Sequence, residues 1–153
     1  NLKRSLSDVP SDDINIEVKK GVVYISLSDK MLYKSGSAVI NDQANSVLEK
    51  IAKVVNDHYE LEILVEGHTD NIPISSECMA DNWDLSTKRA TAVVRVLQNK
   101  YKVNPSRMTA GGRTEFVPKS DNATIEGRKI NRRTEIILSP NLDNLMDILH
   151  DNK

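Results

Sequence analysis

The chain has 153 residues, 39% of them hydrophobic and 28% charged, with a formal net charge of −1. That length suits one domain with a real core, and the charge balance lacks the basic stripe of a nucleic-acid binder. Aromatic residues are only 4% of the chain, too few for a base-stacking platform, and the single Cys78 excludes an internal disulfide and a cysteine-rich zinc site.

No apolar run is long enough to span a membrane. The chain starts at Asn1 with neither Met nor signal peptide, as expected of a fragment of a longer protein. Residues 1–13 are polar, contain Pro10 and read as the end of a linker. Residues 14–18 and 23–27 alternate apolar and polar around Lys19-Lys20-Gly21, which predicts a hairpin. Met31-Leu32-Tyr33 then leads into the small polar stretch Lys34-Ser35-Gly36-Ser37.

Over residues 41–58, Ala44, Val47, Leu48, Ile51, Ala52 and Val55 recur on one helical face, with Asn41 or Asp42 as the expected cap. Residues 61–66 predict a buried strand. Gly67-His68-Thr69-Asp70 follows at its carboxyl end, where α/β sheets hold ligands. After a polar loop over 71–82, a second helix is expected from Trp83 to Lys100, with Leu85, Arg89, Ala92, Val93, Val96 and Leu97 on its inner side. A short strand at 107–111, a loop with Pro118, a short helix near 124–131 and a strand at 134–138 complete the domain. Residues 140–153 read as an amphipathic tail. Strands alternating with helices imply an α/β layer with helices on one face of a mixed sheet.

Most chemistry is excluded by missing partners. His68 and Asp70 lack the further ligands a zinc site needs, and His68 reads better as a hydrogen-bonded strand-end residue. No serine lies in a nucleophile elbow, and no nucleophile, metal site or acid/base pair is in reach of Asp70, so no enzyme is predicted. Gly111-Gly112 lacks dinucleotide-fold spacing and reads as a strand-to-loop turn needing positive φ. What remains is a site of mixed charge. Arg89, on the core side of its helix, requires a carboxylate. Its planar fork suits a ligand carboxylate and Asp70 suits an ammonium, so the two fit a zwitterion. The alternative is that Asp70 and Arg89 simply pair with each other.

Glu66-Gly67-His68-Thr69-Asp70, Asn82, Leu85-Ser86, Arg89-Ala90, Val93 and Leu97 resemble the OmpA-like peptidoglycan-binding family. So do Ser35-Gly36-Ser37-Ala38 upstream, and Asn104-Pro105-Ser106-Arg107-Met108, Glu126-Gly127-Arg128 and Asn131-Arg132-Arg133 downstream. Together they cover residues 22–138. The resemblance implies a βαβαβ two-layer sandwich over 14–139 that binds peptidoglycan non-covalently, without cofactor or metal, through the diaminopimelate of the stem peptide. It implies that Asp70 takes the ammonium and Arg89 the carboxylate. Asn82 and Thr69 add hydrogen bonds and shape the loop, Leu85 belongs to the matching motif, and Arg132 braces the pocket. It places the domain in the periplasm, as part of an outer-membrane or envelope-anchored protein, and leaves a homodimer open. The long loop between Asp70 and Asn82, with Ile72-Pro73-Ile74, looks closer to flagellar-stator relatives. The second reading is accordingly a protein–protein module of an envelope complex, with Asp70–Arg89 as an internal salt bridge.

Overall fold

The computed structural model describes Arg4, Leu6, Val9 and residues 12–141. The expected tail beyond 141 and most of the expected linker lie outside these residues.

Strands β1 (Ile14–Lys19) and β2 (Val22–Ser28) form the expected antiparallel hairpin. Its two turn residues, Lys20 and Gly21, both have positive φ (53° and 78°), the geometry that matches the twist of tightly joined strands. Ser28 then caps a single-turn helix, α1 (Asp29–Leu32), accepting from the Met31 amide at 3.2 Å.

Helix α2 (Ala44–Asp57) buries the apolar face read from the sequence: Ala44, Val47, Leu48, Ile51, Ala52 and Val55. Its start differs from expectation, because neither Asn41 nor Asp42 caps it through a side chain. Asn41 instead turns back, its Nδ2 donating to the Tyr33 carbonyl at 2.9 Å, while its own carbonyl accepts from the Ala44 amide.

Strand β3 (Leu61–His68) is followed by α3 (Asn82–Asn99), then a 3-10 turn (Pro105–Arg107), β4 (Met108–Gly112), α4 (Ile125–Asn131) and β5 (Arg133–Pro140). The sheet order is β1-β2-β5-β3-β4. β5 runs antiparallel to both β2 and β3, and β3 runs parallel to β4. Alternation sends Ile25, Leu27, Ile63, Val65, Ile136 and Leu138 to one face, where they pack with α2 and α3 as the core. Leu6 is buried in the same core.

Two glycines set how closely α3 approaches the sheet. A Cβ at Gly67 would overlap the Ser86 carbonyl, and one at Gly112 would meet Ser86 and Thr87. The predicted Gly111-Gly112 turn is thereby corrected. Both residues lie inside β4 and neither has positive φ; at Gly112 the missing side chain makes room for the helix.

Gly67→Ala should therefore cost about 1–3 kcal/mol by forcing α3 away from β3. At Gly111, where an added Cβ meets nothing within 4 Å, alanine should change stability by less than about 0.5 kcal/mol. Urea unfolding of the two variants checks the contrast.

Candidate ligand-binding site at the end of the central strands

β3 ends at His68, and Thr69 and Asp70 continue from it as buried residues. The Thr69 amide donates to the Thr114 carbonyl (2.8 Å), and its hydroxyl donates to the Asp70 carbonyl (2.8 Å). Asp70 Oδ1 accepts from the Ile72 amide at 3.0 Å, an Asx-type turn that starts the 71–81 loop. Asp70 Oδ2 accepts from Arg132 Nη1 at 2.7 Å. Asn82 opens α3 and folds its Nδ2 back onto the carbonyls of Ile72 (3.2 Å) and Asp70 (3.4 Å). Leu85 is buried on the same side of the helix.

Arg89 is only 4% exposed. Its Nη1 lies 2.5 Å from Asp29 Oδ1, and its Nε donates to the Ser37 carbonyl at 3.0 Å. Its guanidinium carbon sits 4.9 Å from the Tyr33 ring centre. The Tyr33 hydroxyl donates to the Arg89 carbonyl and hydrogen-bonds Thr134, and burial pushes its pKa up. Arg132 Nε is 3.9 Å from Asp29 Oδ2.

The four charges thus form a chain, Asp70–Arg132–Asp29–Arg89, with no net formal charge. The direct Asp70–Arg89 salt bridge of the second reading is not formed. Asp29, leading α1, reaches Arg89, and Arg132, just before β5, reaches Asp70. Asp29 went unread in the sequence. Its one local signal is its place after Ser28, a capping residue ahead of Met31-Leu32-Tyr33. Burial raises its pKa, and the two arginines partly oppose the rise.

On the opposite face of the sheet, Glu66, His68 and Glu135 come together, with one potential ligand atom each within 4.8 Å of one another. The sequence did not reveal this cluster, since Glu135 is a cross-strand neighbour of Glu66. Its carboxylates already pair with cations: Glu66 with Arg113 at 2.6 Å, and Glu135 with Lys119 and Arg133 at 3.1 Å each. Those three cations oppose a metal ion there. Burial alone would raise the pKa of Glu135, but Arg133 and Lys119 outweigh it and hold the carboxyl below its usual value.

His68 is not the hydrogen-bonded residue expected. It is buried, Glu135 Oε2 is 3.9 Å from its Nε2, and neither ring nitrogen has a hydrogen-bond partner among the described residues. Burial, reinforced by Arg133, lowers its pKa to about 4.

Between pH 6.5 and about 4, an unfolded chain therefore takes up a proton that folded His68 refuses, and stability falls as the pH drops through that window. The loss should be on the order of 3 kcal/mol. It should be smaller in His68→Gln, and an NMR titration should find the wild-type imidazole still neutral at pH 5.

The family model of the OmpA family matches residues 32–132. The sequence is 32% identical over 116 residues to motility protein B of Bacillus subtilis, covering 76% of this chain and 44% of that protein. It is 38% identical over 114 residues to outer membrane porin F of Pseudomonas aeruginosa, covering 74% and 31%. The chain thus spans less than half the length of these curated relatives. In structure it is similar to the cell wall anchor of the T6SS from Pseudomonas aeruginosa, with 32% identity and a TM-score of 0.82, covering 92% of this chain and 97% of that one.

Proposed function

The chain belongs to the OmpA family, and on that premise we propose that it binds peptidoglycan non-covalently and anchors an envelope protein to the cell wall. The observation that carries this reading is the neutral chain of alternating charge at the end of β3. A ligand end group bearing both an ammonium and a carboxylate, such as diaminopimelate, matches that pattern. Its ammonium replaces Arg132 at Asp70, and its carboxylate meets Arg132 and Arg89. The exchange leaves the total charge unchanged, so no unpaired ion stays buried. Arg132 is the more accessible member, its side chain 32% exposed against 5% for Arg89. Thr69, Asn82 and Leu85 hold the backbone and helix start that position Asp70. In this reading the domain is non-catalytic. It works in the periplasm as part of an outer-membrane or envelope-anchored protein. No helix among the described residues is long and apolar enough to cross a membrane.

The second reading, a protein–protein module of an envelope complex, is favoured by one observation. All four charges are already partnered inside the domain.

Pull-down on isolated sacculi separates the readings. Asp70→Ala should abolish retention while costing about 1–2 kcal/mol of stability. Retention at wild-type strength would remove Asp70 from the site, and failure of the wild type itself to be retained would leave the interaction module.

Ligand selectivity tests the charge pattern itself. A lysine-type stem peptide offers the ammonium but no second carboxylate, leaving Arg132, displaced from Asp70, without a carboxylate in exchange at a cost of about 1–3 kcal/mol. Calorimetry should therefore find it roughly fivefold to a hundredfold weaker than the diaminopimelate type. Equal affinities would rule out the two-charge clamp.

A further inference from the structure

Asp29 is the carboxylate of the charge chain that stands between the two arginines. Backbone bonds fix its place. Its amide donates to the Arg132 carbonyl at 3.1 Å, its carbonyl accepts from the Tyr33 amide at 2.9 Å, and Ser28 caps the turn it opens. Its carboxylate pairs with Arg89 at 2.5 Å and lies 3.9 Å from Arg132 Nε. Among the described residues no other carboxylate pairs with Arg89. The Asp29 side chain is only 20% exposed, so water screens its charge poorly.

The other three charges show what Asp29 contributes. Without it, Arg89 and Arg132 would stand against Asp70 alone, leaving one surplus positive charge. Two guanidiniums in a partly dry setting attract any anion and repel any cation. Such a site would hold a bare carboxylate well and gain little from an ammonium. Asp29 cancels the surplus. With it in place, a bare carboxylate or a bare ammonium unbalances the set, and an end group carrying both keeps it neutral.

We infer that Asp29 is a specificity-determining residue of the strand-end site. As an internal carboxylate on the two arginines, it competes with a ligand's carboxylate and lowers what the site gains from it. By the same charge it raises what the site gains from the ligand's ammonium. Asp29 acts through Arg89 and Arg132, so it is a positioning residue whose effect is electrostatic. This role rests on reading the site as a binder of a zwitterionic end group.

The test is calorimetry on the full chain with three peptides that differ only in one end group. The first carries diaminopimelate, with ammonium and carboxylate. The second carries lysine, with the ammonium alone, and the third aminopimelate, with the carboxylate alone. In Asp29→Asn the preference for diaminopimelate over lysine should rise roughly tenfold, because a ligand carboxylate no longer has a competitor. The preference for diaminopimelate over aminopimelate should fall roughly tenfold, because the ammonium meets a surplus of positive charge. A residue that only held the fold would weaken all three peptides together and leave both ratios unmoved. Should Asp29→Asn fail to fold because Arg89 is left buried without its carboxylate, the comparison runs in an Arg89→Gln background. There no lone buried cation remains, and adding Asp29→Asn should move the two ratios in the same opposite directions. Ratios that stay put, or that move together, overturn the role of Asp29 while the charge site stands. Equal affinity of wild type for all three peptides overturns the charge site and the role of Asp29 with it.

Discussion

A guanidinium buried among apolar side chains has to be neutralised and hydrogen-bonded, and much of this structure follows from satisfying Arg89. Taking an ion out of water costs several kcal/mol even after relaxation. The charge of Arg89 is met by Asp29, its Nε by the Ser37 carbonyl and its flat face by Tyr33. Each contact draws a separate segment onto α3: the single turn of α1, the loop after it and the tyrosine between them. Tyr33 then extends the tie to β5 through Thr134. Asp29 is shared with Arg132, which brings Asp70 and the end of β3 into the same set. The geometry of the proposed ligand site is thus a by-product of burying one cation.

Charge alternation also explains how such a site can be both stable and receptive. Isolated, any one of the four groups would be strongly destabilising in a partly dry environment. On the proposed reading the neutral set tolerates exchange, because an incoming zwitterion would supply one charge of each sign. The His68 cluster on the other face behaves differently. Its carboxylates are matched by Arg113, Lys119 and Arg133, its histidine stays neutral, and nothing is poised for exchange.

What the sequence disclosed was periodicity. The inner face of α2, the buried strand β3, the hairpin at Lys20-Gly21 and the core-facing position of Arg89 all follow from spacing along one segment. What it concealed were pairings between distant segments. Asp29 lies far upstream of Arg89, so the expected partner was Asp70, which shares Arg89's neighbourhood in the motif. His68 looked hydrogen-bonded because its surroundings on β5 were invisible. Gly111-Gly112 looked like a turn because a glycine required for close approach by another helix leaves the same mark as one required for its dihedral angles. Asn41 looked like a cap because its alternative partner, the Tyr33 carbonyl, depends on where the preceding loop folds. In each case the deciding neighbour came from elsewhere in the chain.

The strand order has a consequence for how the domain assembles. Among the described residues β5 is the last strand in chain order, yet it lies in the centre, between the β1–β2 hairpin and the β3–β4 pair. Until it is made, those two halves have no shared hydrogen bonds, and β2 and β3 each present an open edge. Because such long-range pairing must overcome chain entropy before contacts form, completion of the sheet is intrinsically slow. A chain emerging from a ribosome or a translocation pore would hold two unjoined half-sheets until residues 133–140 arrive. During that interval the exposed edges invite pairing with other chains.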